Sequence, residues 1–429
     1  MKQAWIKTTL ALAIGALSSQ VMANGLAINE HSASGMGTAF AGRSSSAQDA
    51  STVAGNPAGM SKLERREVSG GLAFIHALTD IEAGAGNTTG TTDGDMVPFS
   101  TIPFGYYVTP INDKLHFGLG LYVPFAVIRD YESNFQGRYK GLYSEVEVVN
   151  LQPTISYKVN DQVSVGGGLV ISRVYGKLTN KLNAVTQEAL VEIEGDDIAY
   201  GYNLGVLVDI TEQLSWGLNY KSKISYGLEG DTKVSNVPAL LGLEALNGTY
   251  NAGVDITMPE SIDTSVTYRL DDQWTLYGGA TWTRWSRLDA LVVENQGIAP
   301  PFSANFGTLT EELKWEDTLA FAVGASYQVN PQWVLRAGLA LDESPTNDAH
   351  RTTRIPVSDR TIVSIGAGWN INQDMTLDLA YSYLSEDEGK INQPTKQVDV
   401  GVPVDIQPGY SAKYENSAHG LAAQLTYRF

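Results

Sequence analysis

Between Arg66 and the last residue, Phe429, apolar and polar residues alternate in fourteen short stretches, and their connections alternate too, short then long. The final stretch shows the pattern. Leu421, Ala423, Leu425, Tyr427 and Phe429 share one face, while Ala422, Gln424, Thr426 and Arg428 share the other. A period of two is that of a strand with an apolar and a polar side. An even number of such strands, with turns at one end and loops at the other, is the pattern of a transmembrane antiparallel β-barrel. The expected fold class is therefore all-β, a barrel of 14 strands over residues 65–429. A soluble multi-strand sandwich is the competing reading.

The short connections fall at 109–113, 160–162, 211–213, 271–273, 330–332 and 372–374, and they are built from Asn, Asp, Thr, Gln and Pro. Asn and Asp side chains bond to nearby backbone, and Pro presets a turn angle. The long connections span roughly 79–97, 126–143, 179–194, 230–252, 290–312, 343–357 and 387–416. Short turns face the periplasm in such barrels, which puts both chain ends there. Trp216, Trp274 and Trp333 each lie just after a short turn, where an aromatic girdle belongs. A terminal Phe429 resembles the signal that barrel-assembly machinery reads. The expected location is the outer membrane of a Gram-negative bacterium.

Residues 1–23 read as a secretory signal peptide. Lys2 and Lys7 precede a short apolar run that ends at Val21-Met22-Ala23. Without those two lysines the charge is 27 − 47 = −20. So acidic a chain is a poor partner for nucleic acid. It contains no Cys, which excludes disulfides and thiolate chemistry. No Gly-x-Ser-x-Gly, His-Glu-x-x-His or phosphate loop occurs, and the five His are scattered. No enzyme activity, cofactor or metal is expected.

Residues 24–64 do not alternate. They are rich in Gly, Ala and Ser, with scattered Leu26, Ile28, Met36, Phe40 and Met60. Small residues permit tight turns and close packing, and forty of them do not fold alone. A hatch that plugs the lumen is one reading; a disordered periplasmic tail is the other.

This segment resembles the start of FadL-type outer-membrane transporters of long-chain fatty acids and other hydrophobic compounds. The likeness is Gly-Leu-x-Ile-Asn-Glu-x-Ser-x-Ser-Gly-Met-Gly-x-Ala-x-Ala-Gly, then Asn56-Pro57-Ala58. It continues through 255–288, 315–345, 354–382 and the last strand. The resemblance implies a monomeric barrel that captures its ligand outside, binds it inside and releases it sideways through a kink in the third strand. It places that opening near the Asn56-Pro57-Ala58 turn. On the third strand Pro124, followed by Phe125, cannot donate to a ladder. It marks either a gap or merely the strand end.

Two external loops are unusually apolar. One carries Leu240, Leu241, Leu243 and Leu246, the other Leu182, Val185 and Leu190. Exposed apolar surface of this kind marks binding, so these residues are candidates for a capture groove; loops packed on each other as a lid is the alternative. The resemblance offers Arg173 as a carboxylate anchor, although alternation turns it outward unless the glycines at 166–168 form a bulge. Lys314 stands two residues before Glu316, where some relatives carry a second basic residue. Arg336 is a further cation that alternation places in the lumen, with Asp378 or Asp342 as its rival partners. The partners expected are a long-chain fatty acid or other hydrophobic small molecule, the outer-membrane lipid and the assembly machinery. Aromatic hydrocarbons are the nearest alternative cargo, and a general polar porin is the alternative of another class.

Overall fold

A computed structural model describes residues 25–239, 242–300, 302–399 and 403–429. The signal segment, Leu240 and Leu241 lie outside the described residues. Fourteen antiparallel strands close into one barrel. In chain order they are β1 (Glu67–Ala83), β2 (Ser100–Pro110), β3 (Leu115–Asp130), β4 (Tyr143–Lys158), β5 (Val163–Asn183) and β6 (Glu188–Asp209). Four strands are each broken once: β7 (Leu214–Lys221, Ile224–Ser235), β8 (Gly248–Met258, Ser261–Arg269), β9 (Trp274–Thr283, Ala290–Asn295) and β10 (Thr308–Glu312, Thr318–Asn330). The ring ends with β11 (Trp333–Asp342), β12 (Arg360–Asn370), β13 (Met375–Glu386, extended by Gly389–Gln393) and β14 (Tyr410–Arg428). β14 pairs with both β13 and β1, which closes the sheet.

The alternation maps onto the wall as expected. Leu335, Leu339 and Leu341 are exposed on the outside, whereas Ser265, Asn203, Asn219, Gln152 and Gln424 are buried inside. All six short turns share one device. The side-chain oxygen of Asn112, Asn160, Thr211, Asp271, Asn330 or Asn372 accepts from two backbone N–H groups, two and three residues on. Trp333 stacks on Trp369 beside one such turn, and Trp274 packs on Tyr327 beside another. The Phe429 N–H donates to Arg66 O, so the barrel begins and ends at the short-turn rim.

One expected loop is mostly strand and a second is partly so. β5 and β6 run on through 179–194 and leave only 184–187 between them. β7 and β8 likewise extend into 230–252. The period-2 pattern continues beyond the membrane with charged residues outward. Lys181–Glu188, Lys177–Glu194 and Lys233–Glu192 pair there across strands. Polar composition hid this extension.

Residues 25–64 run inside the barrel. They form short helices (Ala33–Met36, Thr52–Gly55) and a 3-10 turn (Pro57–Lys62), and their backbone bonds to wall side chains. Ser265 Oγ accepts from Ser44 N and Ser45 N, Gln424 Oε1 accepts from Ala33 N, and Gln152 Nε2 donates to Val53 O. The approach is close. A Cβ on Gly217 would lie 1.8 Å from Ser44 O, and one on Gly205 would lie 1.8 Å from Asn56 Oδ1. If this segment is what blocks the lumen, Gly205→Val should unseat it while leaving the barrel folded. Single-channel recording should then show larger ion currents than the wild type, with the heat-modifiable gel mobility retained. An unchanged current would remove the plug role.

Candidate functional site

The third strand is irregular at the expected place. β3 pairs with β4 through Tyr122–Asn150 and again from Phe125–Val148, so Val123 and Pro124 together oppose one residue. That is a β-bulge. On the other edge the ladder with β2 ends at Gly105–Leu121. The N-terminal segment takes up part of the edge that β2 leaves. Ile28 N donates to Pro124 O at 2.8 Å, Ala126 N donates to Leu26 O at 2.7 Å, and Ala27 lies opposite Phe125.

The Asn56-Pro57-Ala58 turn sits elsewhere. Asn56 Nδ2 donates to Ser44 O at 2.6 Å and to Val206 O at 2.9 Å, and its Oδ1 accepts from Ala58 N. Ser61 bonds to Ser164. The turn therefore rests on β5 and β6, where Gly166 and Gly205 leave room, and not beside Pro124. The expected pairing of this turn with the third-strand kink is corrected: Ala27, rather than Asn56, meets the bulge.

A groove opens at the long-loop end. It is lined by Leu178, Leu182, Val191, Ile193, Leu291, Val293, Phe306 and Leu309, with Lys140, Arg351 and Arg354 among its polar groups. A hairpin (Lys396–Asp399, Pro403–Gln407) borders it, and Lys140 Nζ donates to Pro394 O at 2.5 Å. Below lies a chamber, apolar on nearly every side, with Leu26, Val127, Val174, Leu228, Val254, Ile256, Leu288, Trp315 and Ile355 in its wall. Groove and chamber share Leu178, Ile193, Leu291, Glu311, Thr352 and Arg354. Arg354 is fully engaged at this junction: its Nε donates to Glu311 at 3.1 Å, Nη1 to Ser144 Oγ at 3.0 Å and Nη2 to Asn180 at 3.3 Å.

A second chamber adjoins the bulge. Pro124, Phe125, Ala27, Ile28, Tyr122, Asn150, Arg43 and Lys221 line it. Leu26 faces the first chamber while Ala27 and Ile28 face the second, so this short stretch is part of the partition. Phe125 packs edge-on to Trp285 at 5.8 Å, and Trp285 packs edge-on to Trp315 at 5.2 Å. The two Trp residues stand at the breaks in β9 and β10.

The three cations expected to hold a carboxylate do not face these spaces. Arg173 is on the outer surface in an ion pair with Asp196 at 3.7 Å. The β5 pairing is continuous through 166–168, so no bulge switches its side, and alternation outweighs the motif match. Lys314 projects to solvent with Asp289 at 3.0 Å. Arg336 does face the lumen, but it is buried with Asp378 at 2.6 Å, beneath the N-terminal segment. Among the capture candidates, Leu182, Leu243 and Leu246 join one buried cluster with Val191, Val237 and Phe306. Val185 is exposed at the hairpin tip with φ +70°, and Leu190 is half-buried on the opposite side of its strand from Ala189. Phe306, Leu291, Arg43 and Lys221 escaped sequence reading. Only the alternation at 290–293 and the inward parity of Lys221 pointed to any of them.

The model of the outer membrane protein transport protein family (OMPP1/FadL/TodX) matches residues 14–429. The chain belongs to that family. A long-chain fatty acid transport protein of Escherichia coli O6:H1 is a family relative, 26% identical over 426 residues, covering 91% of this chain and 94% of that protein. Outer membrane protein P1 of Haemophilus influenzae is 26% identical and covers 100% of this chain and 99% of its own length. The crystal structure of a Pseudomonas aeruginosa FadL homologue superposes with a TM-score of 0.82 at 24% identity, covering 94% of this chain and all of the other. The Pseudomonas putida toluene transporter TodX reaches 0.67 at 15% identity, covering 90% and 95%. Barrel fold and outer-membrane location follow from family and architecture together.

Burial and the neighbouring Lys396 charge push Lys140 down to about 8, against an upward pull from Glu311. A lysine is cationic below that value and neutral above it, so the groove loses positive charge as pH rises through it. Decanesulfonate, whose own charge stays constant, should associate severalfold more slowly at about pH 9.5 than at about pH 7. Stopped-flow measurement should show that step flattened in Lys140→Met.

Proposed function

We propose that this chain carries hydrophobic molecules passively across the outer membrane, with long-chain fatty acids as first cargo. The observation that carries the reading is the apolar chamber, which shares six lining residues with an external groove of mixed apolar and polar lining. A site that buries a ligand is mostly apolar with few polar groups, and here the polar groups collect at the junction, around Arg354. Leu182, Leu243 and Leu246 border the capture end. The fatty-acid assignment draws on the names of the relatives, and the fold relationship to the FadL homologue is in keeping with it.

The exit in this proposal is lateral. Its support is the bulge at Val123 and Pro124, the end of the β2 ladder at Leu121, and the second chamber beside both. A backbone edge in a membrane needs partners, and Leu26–Ile28 supplies some of them here. Withdrawal of that stretch frees the edge and opens the partition. Ligand then moves from the first chamber to the second and out between β2 and β3. Residues 24–64 act as the hatch, residues 1–23 as the export signal, and the barrel works as a monomer. Exposed Phe429, edge-on to Tyr427, serves as the assembly signal.

A second reading, uptake of small aromatic hydrocarbons by the same route, is favoured by how little polar surface the first chamber offers. It shares every step but the head group. Deleting Pro124 removes the extra residue of the bulge and lets β3 keep one register with β4. Uptake of labelled palmitate by cells should then fall at least about tenfold, a barrier increase of roughly 1.4 kcal/mol, while equilibrium binding to purified protein stays near wild type. Wild-type uptake by the deletion variant would rule out this exit.

A further inference from the structure

The four strand breaks fall in one row. β7 is interrupted between Lys221 and Ile224, β8 between Met258 and Ser261, β9 between Thr283 and Ala290, and β10 between Glu312 and Thr318. Lys221, Ser261, Thr283 and Thr318 are consecutive cross-strand partners, so the breaks line up across the wall. On the long-loop side of that row the four half-strands make a panel of their own. Ile224–Ser235 pairs with Gly248–Met258, which meets Ala290–Asn295, which pairs with Thr308–Glu312.

The panel is held unequally. Along one side Glu229–Ser235 forms a continuous ladder with Leu190–Asp196 of β6. Along its base Glu260, in the break of β8, accepts from Arg287 Nε and Nη2 at 2.9 and 2.7 Å and from Arg284 Nη1 at 3.3 Å. The other side has no ladder. Thr308–Glu312 pairs with no further strand among the described residues, and β10 meets β11 only beyond the break, from Ala320–Asp342 onward. Side chains of the 343–357 connection close this seam instead. Arg354 Nε donates to Glu311 Oε2 at 3.1 Å, Asn347 Nδ2 donates to Lys314 O at 3.2 Å, and His350 Nε2 stands 3.9 Å from Glu312. At the foot of the seam Glu316 N donates to Pro345 O at 2.9 Å.

The loose side coincides with the boundary between groove and apolar chamber. Glu311 and Arg354 line both spaces, and the panel's Leu228, Val254, Ile256 and Leu291 are chamber wall. Parting the seam costs side-chain contacts, whereas parting the β6 side costs a row of backbone hydrogen bonds. A sheet held at its base and along one side yields at the free side.

We infer that this four-stranded panel is the entry gate of the apolar chamber, parting from the 343–357 connection at Glu311 and Glu312 to admit cargo from the groove. Arg354 and His350 are positioning residues that hold it shut. The inference rests on the transport reading above and adds the step between capture and internal binding, at a place separate from the bulge.

The chain has no Cys, so paired cysteines can be tied one pair at a time. Glu312→Cys with His350→Cys, joined by a short bis-methanethiosulfonate linker, ties the free side. Glu192→Cys with Lys233→Cys, opposite each other on β6 and β7, ties the side that the ladder already holds. Stopped-flow fluorescence follows cis-parinaric acid binding to purified full-length protein in a non-ionic detergent. The Glu312–His350 tie should slow association at least about tenfold, a barrier increase of roughly 1.4 kcal/mol, and dithiothreitol should restore it. The Glu192–Lys233 tie should leave the rate near that of the untied protein. Glu311→Gln, which loosens the seam, should speed association severalfold. Unchanged association with the free side tied would overturn the gate, as would equal slowing by both ties. If the wild type binds neither cis-parinaric acid nor toluene, the transport reading fails and the gate falls with it.

Discussion

Mutual satisfaction of polar groups between the inner wall and the N-terminal segment holds the rest of the structure in place. A membrane barrel must turn its apolar residues outward, which leaves polar side chains facing the lumen. Ser265, Gln424 and Gln152 are deeply buried yet bonded, because the backbone of residues 33–53 meets them. The same contacts solve the segment's own difficulty. It has too little apolar surface to fold by itself, and the wall supplies the partners that its irregular backbone needs.

The interior above this seal is divided by chemistry. The first chamber is walled by Val, Leu, Ile and Trp, while the second carries Tyr122, Asn150, Arg43 and Lys221. The partition is a short pairing of Leu26–Ile28 with β3, backed by Phe125 against Trp285. Two backbone hydrogen bonds of 2.8 and 2.7 Å make this pairing, whereas the buried side chains of Arg336–Asp378 and Arg360–Asp342 tie wall strands to each other.

Much of this was legible from alternation alone. Strand number, the six short turns, the outward tryptophans and the inward Arg336 all follow from a period of two, which a strand cannot escape. The same rule put Arg173 outside, and it outweighed the position match that drew Arg173 toward the ligand. Alternation was less useful where composition masked it, as at 179–194, where charged residues fill the outward positions of a strand that has left the membrane. Contacts between distant residues were not legible at all. Nothing in the chain brings Arg43 to Lys221 or Ala27 to Phe125 until the segment is threaded through the closed wall. Asn56 shows the converse: the turn was recognised from its residues, but its seat on Gly166 and Gly205 depends on two glycines far along the chain.

The length of β5 and β6, 21 and 22 residues, has a bearing on where capture happens. At about 3.3 Å per residue they extend roughly 70 Å, and at a tilt near 45° they rise about 50 Å, against an apolar band of about 25 Å. The barrel is thus a chimney whose upper half stands beyond the apolar band, on the long-loop side. On the proposed route, the groove at its mouth takes up a sparingly soluble molecule beyond that band. On that route the molecule then travels inside protein walls and is kept apart from the water around the barrel's upper half.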